Sequence, residues 1–216
     1  MKIYVVGSSK NKFLPLDNIR EKFLIDQPHE GDNIDDLNPW YCELTGLYYL
    51  WKHCDDDIVG LEHYRRYFVN DKGNLLSENE IRNILKNNDA IAHLSNDIGT
   101  NIYQAPTWCN SNHISMMDFA KRVLFCLRYN YPEYKNLLMN LLNQRKHWQG
   151  NMIICKKEIL NNYCQWLFED FLIKFKEFNL NDMPKRTFGY MTELFLFPFW
   201  CLINNIKIYN SKRIEL

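Results

Sequence analysis

Short strand-like runs alternating with helical segments constrain this chain more than any other feature. KIYVVG (Lys2 to Gly7), IVGL behind Asp55-Asp56-Asp57, and NMIICKK from Asn151 are β-branched, apolar blocks bounded by glycine, serine or charged residues. Each reads as a buried strand. Between them the period changes. NPWYCELTGLYYLWKH reads as one helix, with Pro39 in its first turn behind an Asn38 cap, an apolar face of Leu44, Leu47, Tyr48 and Trp51, and an end near His53. Ser77 to Asn87 reads as a helix with Ser77 and Glu80 forming a capping box. Ala90 to Leu94 has the form of a short strand, whereas Met116 to Tyr129, Pro132 to Gln144 and Glu158 to Glu177 have helical spacing, and Gly189 to Ile203 reads as a very apolar helix or as one broken at Pro198. Residues 11 to 37 lack sustained periodicity and read mostly as loop. The pattern predicts an α/β fold: a single layered domain over 1–216, with a mainly parallel central sheet flanked by helices. No internal repeat or low-complexity linker divides it.

Composition narrows the partners. The chain has 26 basic and 26 acidic side chains, so no global field draws it to nucleic acid, and any anion site must be local. Its 7 cysteines form no C-x-x-C pair and lie in apolar runs, which fits reduced thiols in packing roles for Cys42, Cys164 and Cys201. The start, MKIYVVGSSK, is too soon polar for a secretory signal, and no run of about 20 apolar residues is present. The expectation is a cytoplasmic protein. LFLFPFWCLI, Leu194 to Ile203, has two readings: a core helix kinked at Pro198, or an aromatic face docking peripherally on lipid, with Lys207, Lys212 and Arg213 close behind.

The chemistry concentrates after IVGL. In open α/β sheets, ligands bind outside the carboxyl ends of strands. His63, Tyr64, Arg65 and Arg66 follow the strand and belong at that edge, whereas the DDD triplet precedes it and belongs at the other. Two adjacent guanidiniums form bidentate bonds to phosphate oxygens, and tyrosine rings stack on bases or sugars. The plainer reading is surface arginines paired with carboxylates at a sheet edge.

At these residues the chain resembles a known family. GDN at Gly31, NPWYCELTGLYYLWK and VGLEHYRRYF resemble the GDNI, N-P-x-Y-C-E-L-T and G-x-x-H-Y-R-R-Y-F motifs of bacterial proteins from capsule and exopolysaccharide clusters, regarded as glycosyltransferases. HWQGNMIICKKEI with YCQWLF behind it, and KRTFGYMTELF, resemble further blocks of that family, so the likeness runs from Lys2 to about Leu196. The chain departs from it at Glu193-Leu194, where the family favours Glu-Arg, and keeps only His113 and Asp118 of a loose H-H-x-x-D-L. The resemblance implies a Rossmann-like, GT-A-like fold and a UDP-linked hexose donor, galactofuranose or galactose foremost. It also implies a glycan or lipid-linked glycan acceptor.

Residue by residue, these readings give the following expectations. Arg65 and Arg66 neutralise the leaving diphosphate without a metal, while manganese or magnesium held by a distant carboxylate remains the alternative. His63 bonds phosphate or acceptor, and Tyr64 stacks. Ser8 and Lys10, after the first strand, meet the nucleotide or form a plain turn. Asp32 and Asn33 hold ribose hydroxyls or form an Asx-turn. Glu43, one turn into a helix, binds the donor or complements the helix dipole. Glu193, among Phe188, Tyr190, Leu194 and Phe195, is the candidate base, or a helix carboxylate paired with Lys185 or Arg186. Arg186 reaches a phosphate. His147, Asn151, His113 and Asp118 fall to the acceptor side, and no metal ligand set is assigned.

Overall fold

The computed structural model describes residues 1–108, 113–149, 151–177 and 179–216. The first strand, β1 (Lys2–Gly7), lies parallel between β2 (Arg20–Leu24) and β3 (Ile58–His63). The sheet continues through β6 (Ile153–Lys156), β5 (Ala90–Ala92) and β7 (Ile208–Asn210) in the order β2-β1-β3-β6-β5-β7. Along this path β6 alone runs against the others, so the expected mainly parallel α/β sheet is present with one reversed strand. β4 (Arg66–Val69) turns back from β3, and β8 (Lys212–Glu215) pairs antiparallel with β4.

Alternation along the strands fills both faces. Tyr4 and Val6 of β1 and Val59 and Leu61 of β3 join one large cluster, while Ile3, Ile58 and Ile154 point into a second one with Phe68, Leu76 and Ile81. Helices α2 (Leu44–His53), α4 (His113–Asn130), α5 (Lys135–Leu142), α6 (Lys157–Cys164), α7 (Thr187–Met191) and α8 (Phe197–Ile203) contribute to the larger cluster. The smaller one is closed by α3 (Glu78–Ile84), which carries the anticipated capping box between Ser77 and Glu80.

Several elements differ from expectation. β2 lies inside the stretch read as loop, because its REKFL sequence turns only Arg20 and Phe23 fully inward. The single helix expected from Pro39 to His53 is two. A first turn, α1 (Asn38–Tyr41), stops at Cys42, whose φ of 55° is left-handed, and α2 starts afresh at Leu44. Asn38 is a member of α1 and not its cap; its side-chain amide instead donates to the Cys42 carbonyl at 3.2 Å across the break. The last helical segment is not broken at Pro198. It passes from α7 into α8 through a π-turn over Thr192–Leu196, a local widening that accommodates the missing proline N–H. The side chains from Leu194 to Cys201 are buried, so of the two readings of this segment the core helix is the one found. Among the described residues no helix is long and apolar enough to cross a membrane.

Candidate active site

The carboxyl ends of β1 and β3 open into a cleft of about 630 Å³. Because β6 runs backward, the residues just before it, His147, Gln149 and Asn151, reach the same edge. The far wall comes from the start of α7 and the π-turn behind it: Lys185, Arg186, Gly189, Tyr190 and Glu193.

HYRR forms a tight hairpin rather than an open loop. His63 and Arg66 pair across it, with Tyr64 and Arg65 as the two turn residues. All four line the cleft. The hairpin is anchored from beneath by Glu62, fully buried, which accepts from Arg20 Nε at 2.7 Å and from the Phe68 N–H at 3.0 Å. Arg20 in turn bonds Asp17 at 2.6 Å and the Leu76 carbonyl at 3.2 Å. The buried network therefore joins β2, β3 and β4 directly under the two arginines.

Two histidine–carboxylate pairs stand in the cleft. His63 Nε2 lies 3.2 Å from Glu43 Oε1, and His147 Nε2 lies 3.0 Å from Glu193 Oε1. In each pair the other ring nitrogen, Nδ1, is buried with no partner among the described residues. Burial, reinforced by Arg66 and Arg65, pushes His63 down to about 3, so this ring is neutral at physiological pH. Burial raises the Glu43 carboxyl, and the Glu193 charge adds to the effect. The Cys42 break places Glu43 here: it stands at the residue before α2, without a side-chain capping bond, instead of lying one turn inside a helix.

The cations are distributed unevenly. Arg66 Nε donates to Glu215 Oε1 at 3.0 Å, and Arg213 Nη2 donates to the other oxygen of that carboxylate at 2.9 Å. Arg65 Nε and Arg213 Nη1 are buried with no partner among the described residues. Arg186 adopts a left-handed φ of 66°, its N–H bonds the Pro39 carbonyl at 2.8 Å, and its guanidinium hydrogen-bonds Tyr190. Gly189 lets this wall approach the Cys42 break, since a Cβ there would meet Cys42 Cβ and Sγ at 3.2 Å. Cys42 thus belongs to the cleft as well as to packing, with its thiol pushed far up by burial, while Cys164 and Cys201 are buried.

The cleft therefore gathers His63, Tyr64, Arg65, Arg66, Glu43, Arg186, Glu193, His147 and Asn151. Asn151 sits at a φ of 50° and donates to the Gly189 carbonyl at 3.1 Å, tying the β6 edge to α7. Other expected site residues lie elsewhere. Asp32 accepts from the Tyr48 hydroxyl at 2.9 Å, and Asn33 folds back on the His29 and Gly31 carbonyls, the Asx-type arrangement of a loop outside the cleft. Asp118 is exposed on α4, 3.4 Å from Lys121. Ser8 and Lys10 do not line the cleft; their loop enters it through Gly7 and Asn11, whose side-chain oxygen accepts from the Ser8 N–H at 2.6 Å. His113 begins α4, and its side chain lies outside the described residues. The DDD triplet is at the opposite end of β3, where Asp56 binds the chain's first amino group and Asp57 pairs with Arg82 at 2.6 Å. Among the described residues, no three His, Cys, Asp or Glu side chains are gathered to hold a metal ion. Sequence reasoning missed Asn11, Gln149 and the β8 pair Arg213 and Glu215, because only the pairing of β8 with β4 brings the latter to this edge.

A family model described as a domain of unknown function, DUF4422, matches residues 2–205. The chain belongs to the DUF4422 family. No curated protein matches it. Among solved structures, the apo form of WbbM, titled a bifunctional glycosyltransferase, superposes with a TM-score of 0.78 at 22% sequence identity. The match covers 100% of this chain and 45% of that one, so the chain spans less than half the length of WbbM. This DUF4422 chain therefore shares the fold found in part of that glycosyltransferase. Its β8 residues Arg213 and Glu215 lie beyond the segment the family model covers.

Proposed function

We propose that this DUF4422 protein is a glycosyltransferase. It moves a hexose, galactofuranose or galactose foremost, from a UDP-sugar to a growing capsular, exopolysaccharide or lipopolysaccharide glycan at the cytoplasmic side of the membrane. The observation that carries the reading is the Tyr64–Arg65 hairpin turn. It presents two guanidiniums, one with a buried N–H that has no partner among the described residues, in the same cleft as two histidine–carboxylate pairs. The fold shared with part of a glycosyltransferase supports it.

In this reading the donor diphosphate lies against Arg65, Arg66 and Arg186, whose charge offsets that of the leaving group. The acceptor hydroxyl attacks the anomeric carbon. The bond from that carbon to the diphosphate oxygen breaks, UDP leaves with the bonding pair, and Glu193 takes the hydroxyl proton. His147 holds the Glu193 carboxylate in place from the β6 side. Neutral His63, its Nε2 3.2 Å from Glu43, lines the space between donor and acceptor. The arginines carry the diphosphate without a divalent ion.

A panel of UDP-hexoses, assayed for UDP release with and without a chelator, tests the function. Release from at least one donor, undiminished by chelator, is expected. Failure of every UDP-hexose to be either transferred or hydrolysed overturns it.

A further inference from the structure

Beside the cleft lies a second cavity of about 460 Å³, and the two share Ile98 and Gln149 as a common wall. Its remaining lining is His93, Ser95, Asn96, Asp97, Arg213 and Glu215. A short ladder builds it: the Ser95 N–H donates to the His147 carbonyl at 2.8 Å, Gln149 to His93 at 2.9 Å, and Ile98 to Arg145 at 2.9 Å. The segment from Arg145 to Gln149 that pairs with this floor is thus the one that carries His147 to Glu193.

The two cavities differ in charge. In the cleft, Arg65, Arg66, Lys185 and Arg186 face Glu43 and Glu193, four cations to two carboxylates. In the neighbour, Asp97 pairs with Arg145 at 2.9 Å, and Glu215 pairs with Arg66 at 3.0 Å and Arg213 at 2.9 Å, so both carboxylates are matched by arginines. Burial also lowers the affinity of His93 for a proton. A diphosphate is drawn to the first cavity, whereas the charges of the second are already matched. What the second offers is hydroxyl chemistry. Asp97 and Glu215 oxygens accept, the Asn96 and Gln149 amides do both, and the buried Arg213 Nη1 is a donor without a partner among the described residues.

We propose that this second cavity is the acceptor subsite, binding a neutral hexosyl unit of the glycan with its reactive hydroxyl turned past Gln149 toward Glu193. The proposal rests on the glycosyltransferase reading and adds the place and charge of the acceptor. A uronic acid at that unit would set a third carboxylate beside Asp97 and Glu215, whose arginines are already engaged, and is disfavoured for that reason.

Asn96 is exposed, so Asn96→Trp fills the cavity from its rim without touching the core. The probes are fluorophore-tagged glycosides of neutral hexoses and of their uronic acid counterparts, with a UDP-hexose as donor. For Asn96→Trp, UDP affinity by calorimetry and donor hydrolysis by water stay at native values. Transfer to the neutral glycoside falls roughly tenfold or more, chiefly through KM. The native protein prefers the neutral glycoside, and saturation-transfer NMR with UDP present shows that glycoside in contact with it. Native KM in Asn96→Trp, or no contact between the native protein and any neutral glycoside at millimolar concentration, overturns the proposal. Absence of UDP binding to the native protein would instead defeat the transferase reading beneath it.

Discussion

Glu62 is the residue whose removal tests most sharply how the site is built. Its carboxylate is inaccessible to water and holds Arg20 at 2.7 and 3.3 Å and the Phe68 N–H at 3.0 Å. Glu62→Ala leaves the fully buried Arg20 guanidinium without its main counterion and an amide of β4 without an acceptor. Removing one partner of a buried pair costs about 3–5 kcal/mol. Asp17 and the Leu76 carbonyl remain on Arg20, which places the expected loss near the lower end, about 3 kcal/mol. Urea denaturation at neutral pH measures it. Glu62→Gln keeps the shape and one acceptor, so it should lose less than Glu62→Ala. The Arg20→Met/Glu62→Leu double variant should recover much of the loss, since no charge is left buried. The same variants should weaken UDP binding, because the hairpin carrying Arg65 and Arg66 rests on this carboxylate. A Glu62→Ala loss below about 1 kcal/mol, the scale of an ordinary hydrogen bond, would refute the reasoning.

Three further outcomes follow from the cleft. Arg65→Ala and Arg66→Ala should each lower kcat/KM by about 2–4 kcal/mol of transition-state stabilisation, with thermal unfolding little changed. The lysine variants should recover only part of that, since an ammonium lacks the planar fork. Native rates in both alanine variants would place the site elsewhere. His63, pushed from 6.5 to about 3, is neutral when folded and charged when unfolded between those pH values, so its stabilising effect is complete above 6.5 and is lost as pH falls toward 3. Against His63→Asn, the native protein should lose up to about 1.4 kcal/mol more per pH unit in that window, read by denaturant melts. Parallel pH dependence would show that the ring is not held neutral. Gly189→Ala should cost about 1–3 kcal/mol, because the new Cβ meets Cys42 at 3.2 Å where α7 packs on the break. An unchanged melting temperature would mean that the two segments yield freely.

The sequence made the local logic visible and hid what depends on pairing. IVGL and KIYVVG announce themselves by their β-branched runs, and the strand-end rule then brings HYRR to the correct edge and sends the DDD triplet to the other. The reversal of β6 is not written in NMIICKK, since an antiparallel strand buried on both faces reads like a parallel one. That reversal is what sets His147 and Asn151 beside α7. REKFL was hidden by its charges, and β8 because KRIE is a short polar run whose place is fixed only by β4. GDN was legible as a turn, and Asp32 and Asn33 lie outside the cleft, bonded to Tyr48 and His53 of α2 and to their own loop. The two histidine–carboxylate pairs join residues 20 and 46 positions apart, so no spacing rule links them.

The central claim is that arginines of the hairpin hold the diphosphate of a nucleotide sugar. Calorimetric titration of UDP into the native protein in excess chelator tests it most directly, with the Arg65→Ala/Arg66→Ala double variant alongside. The account predicts saturable binding in chelator that the double variant loses. Binding that vanishes in chelator and returns with manganese or magnesium, or that survives loss of both arginines, would contradict it.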